Sequence, residues 1–226
     1  GYLWSIANPL LFAMIYYYIF KLVMRVQIPN YTIFIITGLF PWQWFANATS
    51  NSLFSFLANA QIIKKTVFPR SVIPISNVFM EFLHFLCTIP VIIFFLYIYD
   101  MSPSWIWLWG IPLIGLGQTL LTLGISLTFS TLNLFFRDLE RFVGLGIMIL
   151  FYCTPILYSS DMIPEQYHFL IDYNPFAAMI VSWRDLFMNN TFNVAYIMEL
   201  YAYGFVSLII GSYIFNKLKF RFAEIL

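Results

Sequence analysis

Residues 59–99 read NAQIIKKTVFPRSVIPISNVFMEFLHFLCTIPVIIFFLYIY. From Val72 to Tyr99 this is a nearly unbroken apolar run. A helix needs about 20 such residues to cross the hydrocarbon core of a bilayer, so the run predicts a membrane span with length to spare. The preceding segment, Asn59–Arg70, is short, basic and broken by Pro69. A compact charged segment hung between two spans is a place where a soluble partner can push.

Working outward, the same pattern recurs. Apolar stretches run near Leu3–Phe20, Tyr31–Ser50, Val72–Tyr99, Trp105–Leu132, Phe142–Tyr158 and Val194–Phe215. The whole chain is 62% hydrophobic, 21% aromatic and only 9% charged, against about 25% charged in ordinary soluble domains. The expected fold is therefore an all-α integral membrane protein with six transmembrane helices. Pro9, Pro41, Pro90 and Pro112 are expected to kink or start helices, because neighbouring groups in a membrane bundle re-satisfy the freed backbone.

Basic residues orient such a chain, since Lys and Arg favour the cytoplasmic side. With both termini inside, the inner segments hold Lys64, Lys65 and Arg70, then Arg137 and Arg141, then Lys217, Lys219 and Arg221. Lys21, Arg25 and Arg184 remain outside. The expected topology is N-in and C-in.

The outer connection between the fifth and sixth stretches, residues 155–190, is too apolar for a plain loop and is cut by Pro164 and Pro175. Asn174 followed by Pro175 reads as an N-cap with Pro at the first helical position. Asp161 just before Pro164 suggests a second helix start. Apolar helices of about 10–14 residues beside spans are re-entrant or interfacial, so a helical hairpin dipping into the outer leaflet is expected here, with an amphipathic cap lying on the surface as the alternative.

Several chemistries are absent. There is no GxxxxGK[ST] phosphate loop, so the chain does not bind ATP in that manner. There is no basic face for nucleic acid. Cys87 and Cys153 lie in apolar stretches without a CxxC or Cys/His cluster, which reads as two packed free thiols and no metal site. The glycines within the apolar stretches, including Gly115, Gly117, Gly124, Gly144 and Gly146, read as sites of close helix approach.

Two ionisable residues, Glu81 and His84, look intramembrane and share one helix face at i and i+3. They form either a functional polar pair, such as a proton relay or a binding contact, or a hydrogen bond that fixes packing. A membrane glycosyltransferase or polymerase is the enzymatic alternative. It needs a carboxylate poised in an outer loop; Asp161, Glu165 and Asp172 are the candidates, but their places beside helix starts suit capping. The aromatic load is the positive signal. Phe12, Tyr16, Trp42, Trp44 and Phe45 offer flat apolar faces, some with a polar tip. Such a lining suits a sugar polymer sliding through a channel, and the same residues serve equally as packing groups.

Five stretches carry a family resemblance. They are Gly1-Tyr-Leu-Trp-Ser-Ile-Ala-Asn-Pro-Leu10; Gly38-Leu-Phe-Pro-Trp42; Asn59–Arg70 with its Lys-Lys and Phe-Pro-Arg; Leu132-Asn-Leu-Phe-Phe-Arg-Asp138; and Phe151-Tyr-Cys-Thr-Pro-Ile156, continued by Met162-Ile-Pro164 and Tyr173-Asn-Pro175. In this order they resemble the permease subunits of bacterial ABC-2 polysaccharide exporters, nearest to O-antigen exporters and next to teichoic acid or capsule exporters. The resemblance implies one ABC-2 type transmembrane domain over 1–226 in the bacterial cytoplasmic membrane. It implies a homodimer around a central channel, two cytoplasmic ABC ATPase subunits that hold ATP and Mg2+, and an undecaprenyl-linked glycan as substrate.

On the same resemblance, Asn59–Arg70 is the coupling helix on the ATPase. Lys64, Lys65 and Arg70 are its charged contacts, Phe68 its apolar anchor, and Asn59 its start. Pro155, Asp161, Pro164, Asn174 and Pro175 belong to an outer gate. Arg137, Asp138 and Arg141 stand at the cytoplasmic entrance, or else serve as surface anchors paired with the neighbouring acids. Family members begin with a basic amphipathic segment, so a segment upstream of Gly1 is expected.

Overall fold

The structure is a computed structural model and describes residues 28–66 and 68–225, together with 7, 10–12, 14–15, 17–23 and 25. All of its described regular structure is helical. Six longer helices form the frame: α1 (Tyr31–Leu53), α2 (Val72–Ile98), α3 (Trp107–Phe135), α4 (Leu139–Cys153), α5 (Pro175–Arg184) and α6 (Val194–Leu218). The helices over Val72–Ile98, Trp107–Phe135 and Val194–Arg221 are long and apolar enough to cross a membrane. Of the first expected span, residues 3–6, 8–9, 13 and 16 lie outside the described residues; at its end Tyr17–Val23 form a wide π-type turn.

Four helices follow the apolar stretches closely, and Pro41, Pro90 and Pro112 sit inside α1, α2 and α3. The fifth stretch differs from its reading as a span over Phe142–Tyr158. α4 has 15 residues, about 22 Å at 1.5 Å per residue, which is short of the roughly 30 Å hydrocarbon core. It stops because Pro155 follows, and the residue before a proline is disfavoured in α conformation; Thr154 is extended.

α3 is the central post. α6 lies along it over most of its length, and α1 and α2 pack on α3 and on each other. The α3–α6 seam is built from glycines at heptad spacing. A Cβ on Gly124 would stand 2.2 Å from the Ser207 carbonyl carbon, and one on Gly211 would stand 2.3 Å from the Gly124 oxygen. Gly117 faces Leu200 and Tyr201, while Gly204 faces Leu120 and the backbone of Gly117 and Leu121. Two helices in lipid gain little from apolar burial against one another, and close backbone approach supplies the attraction through dispersion contacts. Gly144 and Gly146 do not serve close packing: nothing lies within 4 Å of a Cβ on either.

The three basic connections gather at one end of the bundle. There Phe56, Ile63, Leu127, Leu134, Phe215 and Phe222 form a buried cluster against which Phe68, Phe135 and Leu218 pack. At the far end, Thr32 and Tyr99 hydroxyls meet at 2.9 Å, and Trp107 Nε1 donates to Asn190 Oδ1 at 2.9 Å. Asn30, Asp100 and Asn190 adopt positive φ in the turns of this end, a conformation that Asn and Asp tolerate better than other side chains.

Candidate functional site

The residues between α4 and α5 hold the most ordered polar site. Thr154, Pro155, Ile156 and Leu157 are buried and not helical, so their carbonyls need partners from elsewhere. Arg184, at the end of α5, supplies two of the four. Its Nη1 donates to Pro155 O at 2.8 Å, its Nη2 to Ile156 O at 3.1 Å and to Phe34 O at 3.4 Å. The guanidinium lies 3.6 Å from the Phe34 ring centroid. Tyr31 Oη closes the set by donating to Leu157 O at 2.8 Å. Gly38 makes the room, since a Cβ there would be 2.9 Å from Arg184 Nη2.

Asn174 completes the junction. Its Oδ1 accepts from Phe176 N at 3.0 Å, capping α5 as Asn-Pro predicts, and its Nδ2 donates to Thr154 Oγ1 at 3.2 Å and Cys153 O at 3.3 Å. Pro175 is the first residue of α5. Pro164 begins the turn Glu165–Tyr167, and Asp161 sits exposed in the turn Ser160–Met162, accepting from Ser159 Oγ at 3.3 Å. The two arms of 155–190 are unequal. α5 is buried along most of its length, whereas the first arm leaves Met162, Tyr167, Phe169, Leu170 and Tyr173 exposed.

A second buried node ties three helices. Gln118 Nε2 donates to Pro41 O at 2.8 Å, and its Oε1 accepts from Trp183 Nε1 at 2.7 Å. This joins α3 to α1 and α5.

The aromatics expected to line a channel separate into two groups. Trp44 is 2% exposed and stands between α1 and α2, with ring centroids 5.3 Å from Phe85 and 5.0 Å from Phe82. Trp42 and Phe45 are also buried, but each forms the floor of a crevice beside α4. One crevice, of about 340 Å³, includes Phe12, Trp42, Gln43, Asn47, Gly144 and Tyr152. The other, of about 380 Å³, is almost wholly apolar and includes Phe45, Phe129, Phe142, Gly146 and Phe176. Phe12 is exposed; Tyr16 lies outside the described residues. Gln43 and Asn47 carry the polar edge of the first crevice. Among the described residues their amides have no hydrogen-bond partner. Two amides at i and i+4, on one face of the helix, are the sequence signal for this edge.

Asn59 Nδ2 donates to Ser55 O at 2.8 Å and begins the short helix Ala60–Lys65. Ile63 turns into the apolar cluster while Lys64 and Lys65 are exposed. Phe68 packs on the cluster from its edge. Arg70 turns toward the chain's own C-terminal segment, where its Nη1 donates to the Lys219 carbonyl and its guanidinium lies 5.8 Å from the Phe222 ring centroid.

Glu81 Oε1 accepts from Asn51 Nδ2 at 3.0 Å, and His84 Nδ1 lies 3.4 Å from Glu81 Oε2. The pair is thus joined to α1 by an interhelical hydrogen bond. Arg137, Asp138 and Arg141 are all exposed at the basic end, and among the described residues no ion pair joins them to each other or to Glu140. Cys87 and Cys153 are free but exposed rather than packed. Asn133, within the Leu132–Asp138 motif, donates to Leu53 O at 3.0 Å and so holds the end of α1.

The chain that builds this short α4, the buried Arg184 on the carbonyls after it and the basic end is matched over residues 1–188 by a family model described as ABC-2 type transporter. The chain belongs to the ABC-2 type transporter family. With its long apolar helices, membership makes it a multi-pass transport subunit of the inner membrane. It is 74% identical over 226 residues to an O-antigen export system permease protein RfbA of Klebsiella pneumoniae, covering 100% of this chain and 87% of the relative. It is 29% identical over 227 residues to the RfbA of Myxococcus xanthus, covering 99% and 87%. It is 24% identical over 194 residues to the polysialic acid transport protein KpsM of Escherichia coli, covering 83% and 74%.

Proposed function

We propose that this ABC-2 permease is the membrane subunit through which an ATP-driven exporter moves an undecaprenyl-linked, O-antigen-type polysaccharide across the cytoplasmic membrane. The whole-length likeness to the Klebsiella O-antigen permeases carries this reading. Two copies of the chain form the channel, and two separate ATPase subunits bind ATP and Mg2+. The basic end of the bundle is cytoplasmic, since Lys and Arg favour that side, which gives N-in and C-in topology; the six crossings then require the short α4 and the non-helical residues after it to make the fifth together. Residues 155–190 form the re-entrant outer gate, with α5, about 15 Å long, as its buried arm.

Asn59–Arg70 receives the ATPase stroke. Lys64 and Lys65 present their charge outward, and Ile63 and Phe68 pass the motion into the cluster that joins the ends of α1, α3 and α6. Arg137, Asp138 and Arg141 line the cytoplasmic mouth. The crevice of Phe12, Trp42, Gln43, Asn47 and Tyr152 is one wall of the glycan path. Rings stack on the C–H faces of sugars and the free amides meet their hydroxyls. Shallow contacts of this kind allow sliding without a deep minimum.

The double variant Gln43→Leu/Asn47→Leu tests that wall. In membranes holding the permease with its ATPase, export of long chains is expected to fall at least about tenfold, as two lost hydrogen bonds of roughly 1 kcal/mol each would produce, while ATPase binding is unchanged. Equal export of all chain lengths by the variant places the glycan path elsewhere.

A further inference from the structure

At the basic end a cleft of about 390 Å³ opens between the start of α2 and the end of α6, lined by Phe68, Arg70, Ser71, Asn216, Lys219 and Phe220 among others. α2 and α6 both lie against α3 and share no extensive interface of their own, so the cleft faces the surroundings of the bundle rather than its core. Three features point to a ligand. Arg70 and Lys219 are both half-buried, and among the described residues neither has a carboxylate within ion-pair distance. Arg70 uses one of its five N–H groups on the Lys219 carbonyl and leaves the rest of its fork open. The Ser71 hydroxyl, at the N-cap position of α2, makes no hydrogen bond to the helix it caps.

Lys219 Nζ is steadied beside the cleft by Asn216 Oδ1 at 2.7 Å. Phe220 stands 78% exposed at the rim with Lys219 Nζ 5.3 Å from its ring centroid, and Lys217 lies 5.9 Å from the Tyr213 ring centroid. Aromatic rings with cationic tips at a helix end are typical of side chains held at the lipid–water boundary. Beyond the cleft both helices carry exposed apolar side chains, among them Val72, Phe79, Ile210 and Tyr213.

We propose that this cleft binds the phosphate of an anionic bilayer phospholipid, with Arg70 as the forked donor, Lys219 as the second cation and Ser71 as a hydroxyl donor. Guanidinium and phosphate match in geometry, and basic pockets between transmembrane helices on the cytoplasmic side bind anionic headgroups. The bound lipid ties the coupling segment to the end of α6, because Arg70 already bridges them. This site rests on the membrane topology proposed above but not on what the transporter exports.

Delipidated permease is titrated with phosphatidylglycerol or phosphatidylcholine, and binding is read by native mass spectrometry. Wild type is expected to retain phosphatidylglycerol at least about tenfold more tightly than phosphatidylcholine. Arg70→Gln/Lys219→Gln should weaken phosphatidylglycerol roughly 30-fold, the loss of one or two charge-assisted hydrogen bonds. Arg70→Lys, which keeps the cation but not the fork, should retain only part of the binding, and its elution as monodisperse protein shows that the fold survives. Lys64→Gln/Lys65→Gln removes the same charge from an exposed site and should change binding less than threefold. Equal weakening by both double variants, or equal binding of the two lipids, overturns the site. A polyprenyl diphosphate that displaces phosphatidylglycerol at lower concentration also overturns it, assigning the cleft to the carrier. A wild-type permease that binds phosphatidylglycerol in this way but exports no polysaccharide with its ATPase counts against the export reading alone.

Discussion

Replacing Gly124 by Leu is expected to remove folded permease from the membrane. The position faces the backbone of α6: a Cβ would lie 2.2 Å from Ser207 C, 2.3 Å from Leu208 N and 2.4 Å from Ser207 O. No rotamer change relieves a clash with main-chain atoms. The helices must part along the seam that Gly117, Gly204 and Gly211 also form, and dispersion contact is lost over its whole length. The cost is on the order of 4 kcal/mol or more, at the severe end for single substitutions. Detergent-extracted variant should elute as aggregate in size-exclusion chromatography. Gly146→Ala, where nothing lies within 4 Å of the new Cβ, should elute like wild type. A monodisperse, export-competent Gly124→Leu protein would mean that α3 and α6 do not meet as described.

Arg184→Ala carries the second large effect. It strips the side-chain partners from the carbonyls of Pro155 and Ile156 inside the bundle, while Phe34 O keeps the Thr37 hydroxyl, and it leaves a void against the Phe34 ring. Each orphaned buried acceptor costs roughly 1–3 kcal/mol, so a loss of about 4 kcal/mol is expected, or about 10 °C in melting midpoint for a chain of this size. Arg184→Lys should recover only part, because an ammonium cannot fork across several carbonyls. Fluorescence-detected thermal unfolding in detergent measures both. A midpoint for Arg184→Ala within 2 °C of wild type would show that those carbonyls find other partners.

Arg184 also explains a tension in the charge pattern. Counted among the outer bases, it opposes the positive-inside rule, yet it is buried and solvates broken backbone instead of sitting in a loop. Periodicity could not reveal this, since the need for a cation at 184 arises only when Pro155 ends α4 and the chain at 154–157 turns inward. The long spans were legible because apolar length alone specifies them, and the α5 start was legible because Asn174-Pro175 is a local signal. The glycines were half legible: Gly117 packs against the Leu200 and Tyr201 side chains and Gly124 against the backbone of α6, while Gly144 and Gly146, alike in sequence, line open crevices. Only the partner helix distinguishes them. Trp42 and Trp44 likewise differ by two residues and so by slightly over half a turn of helix, which sends one to a crevice floor and the other into the α1–α2 contact. Arg70 read as an outward charge and is turned onto the C-terminal segment, a contact 149 residues away in sequence.

The coupling role of Asn59–Arg70 is the central claim. Its most direct test is the double variant Lys64→Glu/Lys65→Glu, which reverses two exposed charges without entering the apolar cluster. In cells where this variant replaces the wild-type chain, the permease is expected to insert and remain folded. The partner ATPase should no longer co-purify, and lipid-linked polysaccharide should accumulate on the cytoplasmic face. Normal surface polysaccharide with the ATPase still bound would contradict the account.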